Sequence, residues 1–206
     1  MPKPKNPLPL QWGQVYHIYN RGVNRENIFI EPRNYPYFLQ LYAQHITPVA
    51  DTFAYCLLKN HFHFLVRMKE LSHLTGLGDL SGVGDVKEPS QYFSNLFNAY
   101  ARSINKAYDR TGSLFQRPFG RIPVTTDAYF TQLVIYIHQN PQRHGLVDDF
   151  RDWPYSSYQA IIGSKATKLE REEVLSWFGD KEALNVAHTI RMELRAIAHL
   201  MDKDDD

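Results

Sequence analysis

The stretch DTFAYCLLKNHFHFLVRM, residues 51–68, decides the fold. Its two halves are each rich in aromatic and aliphatic residues, and the polar pair Lys59-Asn60 joins them. Two such runs with a tight polar connection predict a β-hairpin. Because successive side chains of a strand point to opposite faces, His61 and His63 are expected to share one face of the sheet.

Regular structure is expected on both sides of this hairpin. Ser90 is the expected N-cap of one helix, Thr126 or Asp127 caps another, and Pro141 should end that second helix. The glycine-rich segment 71–89 lacks the Gly-Lys-Ser/Thr ending of a phosphate loop, so we interpret it as a mobile loop. The pattern predicts a strand over 15–22, helices over 31–46, 90–108 and 126–140, an extended stretch over 110–125, and two charged helical stretches within 169–202.

This order of elements predicts an α+β fold, a ferredoxin-like, mainly antiparallel sheet with helices packed on one of its faces. We expect a first domain over residues 1–160. Residues 161–206 are expected to form a helical C-terminal extension that ends in the acidic tail Asp202 to Asp206.

The chain of 206 residues is 43% hydrophobic, which is enough for one domain with a sizeable core. It has no apolar run long enough to cross a membrane and no signal-peptide pattern, so a cytoplasmic protein is expected. The single Cys56 excludes an internal disulfide and a cysteine zinc cluster. It is expected to be a buried, inert thiol.

Charge is unevenly distributed along the chain, although the net charge is +1. Residues 1–160 carry 16 Lys and Arg against 12 Asp and Glu, and residues 161–206 carry 7 against 10. Residues 98–121 carry five basic residues and one acidic residue. Such a local basic patch is compatible with a groove for a polyanion, and also with an ordinary solvated surface.

Two histidines on one strand face supply two nitrogen donors to a divalent metal, but a metal site needs at least one more ligand. The alternative is a pair of polar residues that only pack. The helix that ends in YIHQNP offers a partner, because Tyr136 and Asn140 are four residues apart and lie one turn from each other on one helix face. His138 points elsewhere on that helix and is expected to be structural, and His17 carries no functional signal.

Several motifs in order resemble one family. HFHF is similar to the histidine motif of the HUH single-strand endonucleases, and YIHQN to the tyrosine motif of their single-tyrosine transposase branch. The stretches YNRGVNRENIF (19–29), RTGSLFQRPF (110–119), YIHQNPQRHGLV (136–147) and DWPYSSY (152–158) resemble the REP-associated tyrosine transposases and their insertion-sequence relatives. The similarity covers residues 14–160. Asn140 departs from the insertion-sequence branch, where a glutamine is usual.

The resemblance implies a strand-transfer enzyme that cleaves single-stranded DNA, folded as a hairpin or repeat, through a 5′-phosphotyrosine at Tyr136. It implies a Mg²⁺ or Mn²⁺ ion held by His61, His63 and Asn140, and it leaves a homodimer open. Candidate DNA-binding residues are the cations and the polar or aromatic residues of these motifs and of the basic patch: Asn20, Arg21, Arg25, Arg102, Lys106, Phe115, Gln116, Arg117 and Arg121. Each of these cations could equally be an ordinary solvated side chain.

Three other functions stay open. The chain could bind DNA hairpins without cleaving them, or it could be a metal-dependent phosphodiesterase in which water attacks the phosphate. A purely structural protein would need neither histidine. A covalent protein–DNA adduct would distinguish the tyrosine strand-transfer enzyme from all three alternatives.

Overall fold

The structure is a computed structural model and describes residues 8–74 and 87–189. The described residues form four strands and seven helices, with short 3-10 turns at Val23–Arg25 and Phe150–Asp152. In chain order these are β1 (Val15–Arg21), α1 (Asn34–His45), β2 (Ala50–Leu57), β3 (His61–Met68), α2 (Leu71–Leu74), α3 (Pro89–Ala107), β4 (Gly120–Pro123), α4 (Asp127–Arg143), α5 (Tyr158–Ile162), α6 (Arg171–Phe178) and α7 (Lys181–Thr189).

The strands form one antiparallel sheet in the order β2-β3-β1-β4, so the predicted α+β fold is confirmed. The hairpin is confirmed as well, because β2 pairs with β3 and Leu58 N–H donates to the carbonyl of His61 across the turn. As the second strand of four, β3 lies between β2 and β1, so the two histidines lie inside the sheet rather than at its edge.

Helices cover both faces of the sheet, which corrects the expectation of a single covered face. Phe62, Phe64 and Val66 pack in one core with α1 and α3, whereas Leu65 packs in a second core with α4, α6 and α7. The β3 sequence already carries the reason, because Phe64, Leu65 and Val66 are three apolar residues in a row and point to alternate faces. A strand that is covered on one face alternates apolar and polar residues, whereas one covered on both faces does not.

Two predicted helix boundaries are wrong. Helix α3 begins at Pro89, so Ser90 lies inside it and is not the N-cap; proline is favoured at a first helical position, where its missing N–H has no helical partner. Helix α4 continues through Pro141 to Arg143. That proline costs one backbone hydrogen bond, and the helix ends within a turn of it. Thr126 is confirmed as the α4 N-cap, accepting from Tyr129 N–H.

Helices α6 and α7 pack on the same sheet face as α4. Arg67 of β3 forms ion pairs with Asp51 of β2 and Glu173 of α6, at 3.0 and 2.7 Å. Trp177 of α6 stacks on Phe130 of α4 with ring centroids 4.4 Å apart. Most of the predicted glycine-rich loop, the last part of the predicted C-terminal helices and the acidic tail lie outside the described residues.

Two further findings concern the rest of the described chain. Cys56 is fully buried as predicted, and burial raises the pKa of its thiol well above the usual value. Among the described residues, no helix is both long and apolar enough to span a bilayer.

Candidate active site

His61 and His63 share the sheet face that α4 covers, as the strand spacing predicts. Their ring centroids are 5.2 Å apart, and the two side chains are 4% and 1% exposed. In both rings a hydrogen bond engages Nδ1, and the Nε2 atoms are buried. The two rings therefore present Nε2 as the nitrogen that would bind a metal.

Asn60 fixes the protonation of His61. Its side-chain Nδ2 donates to the backbone carbonyl of Arg25 at 3.3 Å, so its Oδ1 is the atom that lies 2.7 Å from His61 Nδ1. An amide oxygen can only accept, and His61 must therefore carry its proton on Nδ1. The lone pair then lies on Nε2, which is the form that binds a metal.

His63 has a histidine partner of its own, His17 of β1. The His63 Nδ1 atom lies 2.9 Å from His17 Nε2, and the two rings stack with centroids 5.1 Å apart. If His63 binds a metal through Nε2, its Nδ1–H donates to His17. Tyr19 extends the stack over His17 at 5.0 Å, and Gly120 is the β4 residue whose missing side chain leaves room for the Tyr19 ring.

Tyr136 of α4 lies directly over these rings. Its ring meets His63 edge-to-face at 5.6 Å and His17 at 6.5 Å, and it is 2% exposed. The guanidinium of Arg143 lies over the same ring at 5.4 Å, which places a positive charge beside the tyrosine. The tyrosine and the histidines thus meet within a single chain.

Asn140 follows Tyr136 by one helical turn and is 1% exposed. Its Nδ2 lies 3.5 Å from the Tyr136 carbonyl, and its Oδ1 is buried with no hydrogen-bond partner among the described residues. A buried amide oxygen with no partner costs about 1–3 kcal/mol, so an ion that used this oxygen would remove a real penalty. Two imidazole nitrogens and one amide oxygen suit a divalent ion such as Mn²⁺.

The ionisation state of His63 also fits a metal ligand. Burial, with His144 and Arg21 nearby, lowers the pKa of His63 to about 3, so the ring is neutral at ordinary pH, as a metal ligand must be. Within the described residues no three His, Cys, Asp or Glu side chains form a metal cluster. The Asn140 amide as the third ligand stays a prediction.

No sequence pattern selects His17, His144 or Arg143. His144 lies just beyond α4, and its ring is 4.9 Å from that of His61. Arg143 and His144 were missed because Pro141 was expected to end the helix before them. His17 was missed because its contact with His63 spans 46 residues and depends on the register between β1 and β3.

A second buried histidine pair lies on another side of α4. His138 and His188 stack at 5.1 Å, and His138 Nδ1 lies 2.9 Å from His188 Nε2. The remaining nitrogens contact Leu184 O at 2.8 Å and Ser157 Oγ at 2.8 Å. All four ring nitrogens therefore have protein partners, which agrees with the structural role expected for His138.

The candidate DNA-binding residues fall into separate groups. Arg21 pairs with His61 across β1 and β3, on the same sheet face as the histidines. Arg25 is exposed in the turn before α1, and Lys106 is exposed on α3. The other six line a single groove between α3 and the segment 112–121: Asn20, Arg102, Phe115, Gln116, Arg117 and Arg121.

The fold and this site define a class: a tyrosine on a helix, packed over two histidines of a central antiparallel strand. A solved structure of a REP-associated tyrosine transposase bound to a REP hairpin has this fold, with a TM-score of 0.57, 14% identity, and coverage of 82% of this chain and 96% of that one. The two chains therefore share a fold.

A curated relative agrees with this structural likeness. A Haemophilus influenzae protein assigned as a REP-associated tyrosine transposase is 28% identical over 114 residues, which cover 54% of this chain and 61% of the relative. No protein-family model matches the chain. The curated relative thus confirms the resemblance inferred from the motifs, and the solved structure confirms the fold.

Proposed function

We propose that this protein is a transposase-type enzyme that cleaves and rejoins single-stranded DNA through Tyr136. One observation carries the proposal: the Tyr136 ring packs at 5.6 Å against His63, and the buried Asn140 Oδ1, one helical turn away, has no partner among the residues that the structure describes. A packing tyrosine needs no such neighbours. A nucleophile that works beside a metal-bound phosphate needs both.

In the proposed reaction the Tyr136 oxygen attacks phosphorus and a new phosphorus–oxygen bond forms. The bond to the 3′ oxygen breaks, and that oxygen leaves as a free 3′-hydroxyl after taking a proton. The DNA 5′ phosphate stays on the tyrosine as a diester, so the strand can be rejoined later without ATP. A Mg²⁺ or Mn²⁺ ion on His61, His63 and Asn140 would polarise the scissile phosphate.

The relatives and the positions of two arginines support DNA as the proposed substrate. The solved neighbour is bound to a REP hairpin, and we propose a DNA hairpin with single-stranded flanks as the substrate here. Arg21, which pairs with His61 across β1 and β3, and Arg143, which lies over the Tyr136 ring, are the cations we propose to hold phosphates near Tyr136. We propose a cytoplasmic location, which is compatible with a DNA substrate. Because Tyr136 lies over its own chain's His63, this proposal does not require a dimer.

The test is to trap the covalent intermediate. The protein is mixed with labelled hairpin oligonucleotides from the repeats that flank its own gene, with Mn²⁺ or Mg²⁺, and run on a denaturing gel. We expect a metal-dependent adduct that disappears in Tyr136→Phe. The matched control is Tyr129→Phe, which removes a hydroxyl from the same helix and should keep the adduct.

The alternatives predict different gels. Cleavage without an adduct would point to a phosphodiesterase in which water attacks. Binding without cleavage or adduct, with either metal, would point to a hairpin-binding protein. An adduct that persists in Tyr136→Phe would show that another residue is the nucleophile.

A further inference from the structure

The connection between β2 and β3 places Asn60 directly before the candidate ligand His61. Asn60 is half-buried, and hydrogen bonds engage both ends of its carboxamide. Its Nδ2 donates to the Arg25 carbonyl at 3.3 Å, and its Oδ1 accepts from His61 Nδ1 at 2.7 Å. One side chain therefore links the histidine to a backbone segment that lies 35 residues earlier in the chain.

That segment is a turn with an uncommon backbone conformation. Asn24 and Arg25 follow each other with φ of 54° and 60°, in the left-handed region that few residues other than glycine adopt. Asparagine tolerates this region better than arginine does. Such a conformation costs free energy and persists only where the surrounding contacts hold it. In this conformation the turn directs the Arg25 carbonyl at the Asn60 side chain.

Further hydrogen bonds hold the turn against the hairpin. Gly22 N–H donates to the Asn60 carbonyl at 2.9 Å, so the backbone of Asn60 is held together with its side chain. A Cβ at Gly22 would collide with the Glu26 carbonyl oxygen, so the turn closes this tightly only with glycine. On its other side the turn is fixed by Val23 N–H, which donates to the Leu114 carbonyl at 3.1 Å.

The direction of these hydrogen bonds limits His61 to one form. Because the Asn60 amide nitrogen faces Arg25, the ring proton lies on Nδ1 and the lone pair on Nε2. Histidines that bind metals usually have a partner of this kind, which orients the ring and fixes its tautomer. His17, whose Nε2 lies 2.9 Å from His63 Nδ1, has the corresponding place beside the other histidine.

We propose that Asn60 is a positioning residue of the candidate metal site. The turn over residues 22–26 holds its carboxamide, and the carboxamide holds the His61 ring in one orientation with Nε2 as the binding nitrogen. Asn60 acts through His61 and not on the ion, because both ends of its carboxamide are engaged by the chain. This inference rests on the proposed function in that it takes His61 as a metal ligand.

The first measurement needs neither metal nor DNA. Long-range proton–nitrogen correlation spectra of the isotope-labelled, full-length protein at mildly alkaline pH show which nitrogen of a neutral histidine carries the proton. The His61 signals are assigned by their loss in His61→Gln. We expect the proton on Nδ1 in the parent and in Asn60→Asp, whose carboxylate can still accept it. In Asn60→Leu the acceptor is gone, and this tautomer should no longer dominate.

The second measurement is the affinity for Mn²⁺, by isothermal titration without DNA. We expect Asn60→Leu to bind Mn²⁺ about 10–100-fold more weakly than the parent, because a histidine that has lost its hydrogen-bond partner is a poorer ligand. Asn60→Asp restores the acceptor and should recover most of this affinity. Circular dichroism shows at which temperature each variant is folded, and both measurements are made there.

The matched control is Asn105→Leu, the same substitution at another half-buried amide. Asn105 also joins a backbone carbonyl to a side chain, since its Nδ2 donates to Gly112 O at 2.9 Å and its Oδ1 accepts from Arg110 at 3.1 Å. It has no histidine partner among the described residues. We therefore expect Asn105→Leu to keep the parental His61 tautomer and the parental Mn²⁺ affinity.

The outcomes separate this inference from the proposed function. A His61 tautomer that is unchanged in Asn60→Leu, or parental Mn²⁺ affinity in that variant, would overturn the role of Asn60 and leave the metal site standing. An equal loss in Asn105→Leu would overturn it as well. A parent that binds no Mn²⁺ would overturn the proposed metal site, and the spectra would still decide whether Asn60 positions His61. A tautomer change with weaker Mn²⁺ binding, in Asn60→Leu alone, would support the inference.

Discussion

Two buried histidine pairs on the α4 side of the sheet have nearly the same geometry. His17–His63 and His138–His188 both stack at 5.1 Å and are joined by contacts of 2.9 Å between ring nitrogens. Their surroundings differ. The first pair faces Tyr136, whereas the second is closed off by Ser157 and a backbone carbonyl.

The difference shows that the hydrogen-bond partners of a buried histidine distinguish a structural role from a functional one. In the second pair the chain of donors is complete: His188 Nδ1–H donates to Leu184 O, His138 Nδ1–H donates to His188 Nε2, and the Ser157 hydroxyl donates to His138 Nε2. Such a closed chain stabilises the fold. The first pair lies instead beneath Tyr136, and Asn140, one helical turn further on, has an Oδ1 with no hydrogen-bond partner among the described residues. Burial and stacking are equal in both, so the neighbouring atoms decide the role.

Removing one ring should abolish adduct formation in the first pair but not in the second. The largest effect is expected at His63. We expect His63→Ala to reduce adduct formation by more than about 100-fold, because a metal ligand is lost. The denaturing gel with hairpin DNA measures the yield, at a temperature where urea unfolding shows that the variant is folded. Adduct at the parental yield would mean that the histidine does not serve the reaction.

His138→Ala should affect stability instead. The substitution leaves a cavity and two broken hydrogen bonds, so the free energy of unfolding should fall by about 3 kcal/mol. Urea denaturation followed by circular dichroism measures the loss. Adduct formation at a temperature where the variant is folded should match the parent, and a variant with normal stability but no adduct would reverse the assignment of the two pairs.

Acid should destabilise the folded chain through the second histidine pair. Burial lowers the pKa of His188 to about 4 and lowers that of His138 well below its usual value. The unfolded chain therefore takes up protons below pH 6.5 that the folded chain does not. For His188 the free energy of unfolding should fall by roughly 3 kcal/mol between pH 6.5 and 4. Urea unfolding across this range should give a shallower slope in His188→Gln, and an identical slope would contradict the assignment.

The smallest effect is expected at His17, which contacts the proposed ligand His63 rather than the metal. Removing a residue that orients a metal-binding histidine costs about 10–100-fold in metal affinity. We expect this loss of Mn²⁺ affinity in His17→Ala and partial recovery in His17→Gln, measured by isothermal titration. Unchanged affinity in His17→Ala would limit this residue to packing.

Sequence patterns predicted a large part of the site. His61 and His63 could be placed because strand periodicity is local, and Tyr136 with Asn140 because helix periodicity is local. The hairpin, the sheet and α4 followed from the same patterns. The metal and the roles of these residues stay predictions, because they depend on groups that bind from outside the chain.

What was missed depended on contacts between distant segments. His17 meets His63 only through strand register, and His188 meets His138 across 50 residues. The second covered face of the sheet was missed although Phe64, Leu65 and Val66 form a run of apolar residues without alternation. Arg143 and His144 were missed because a proline near a helix end was read as a stop, although its cost there is small.

The most direct test of a metal site at His63, and of its absence at His138, is a Mn²⁺ titration without DNA. Mn²⁺ is titrated into the protein, and the free aqueous ion is counted by electron paramagnetic resonance, for the parent, His63→Ala and His138→Ala. We expect one bound ion in the parent and in folded His138→Ala, and none in His63→Ala. Mn²⁺ binding that persists in His63→Ala, or that is lost in folded His138→Ala, would contradict it.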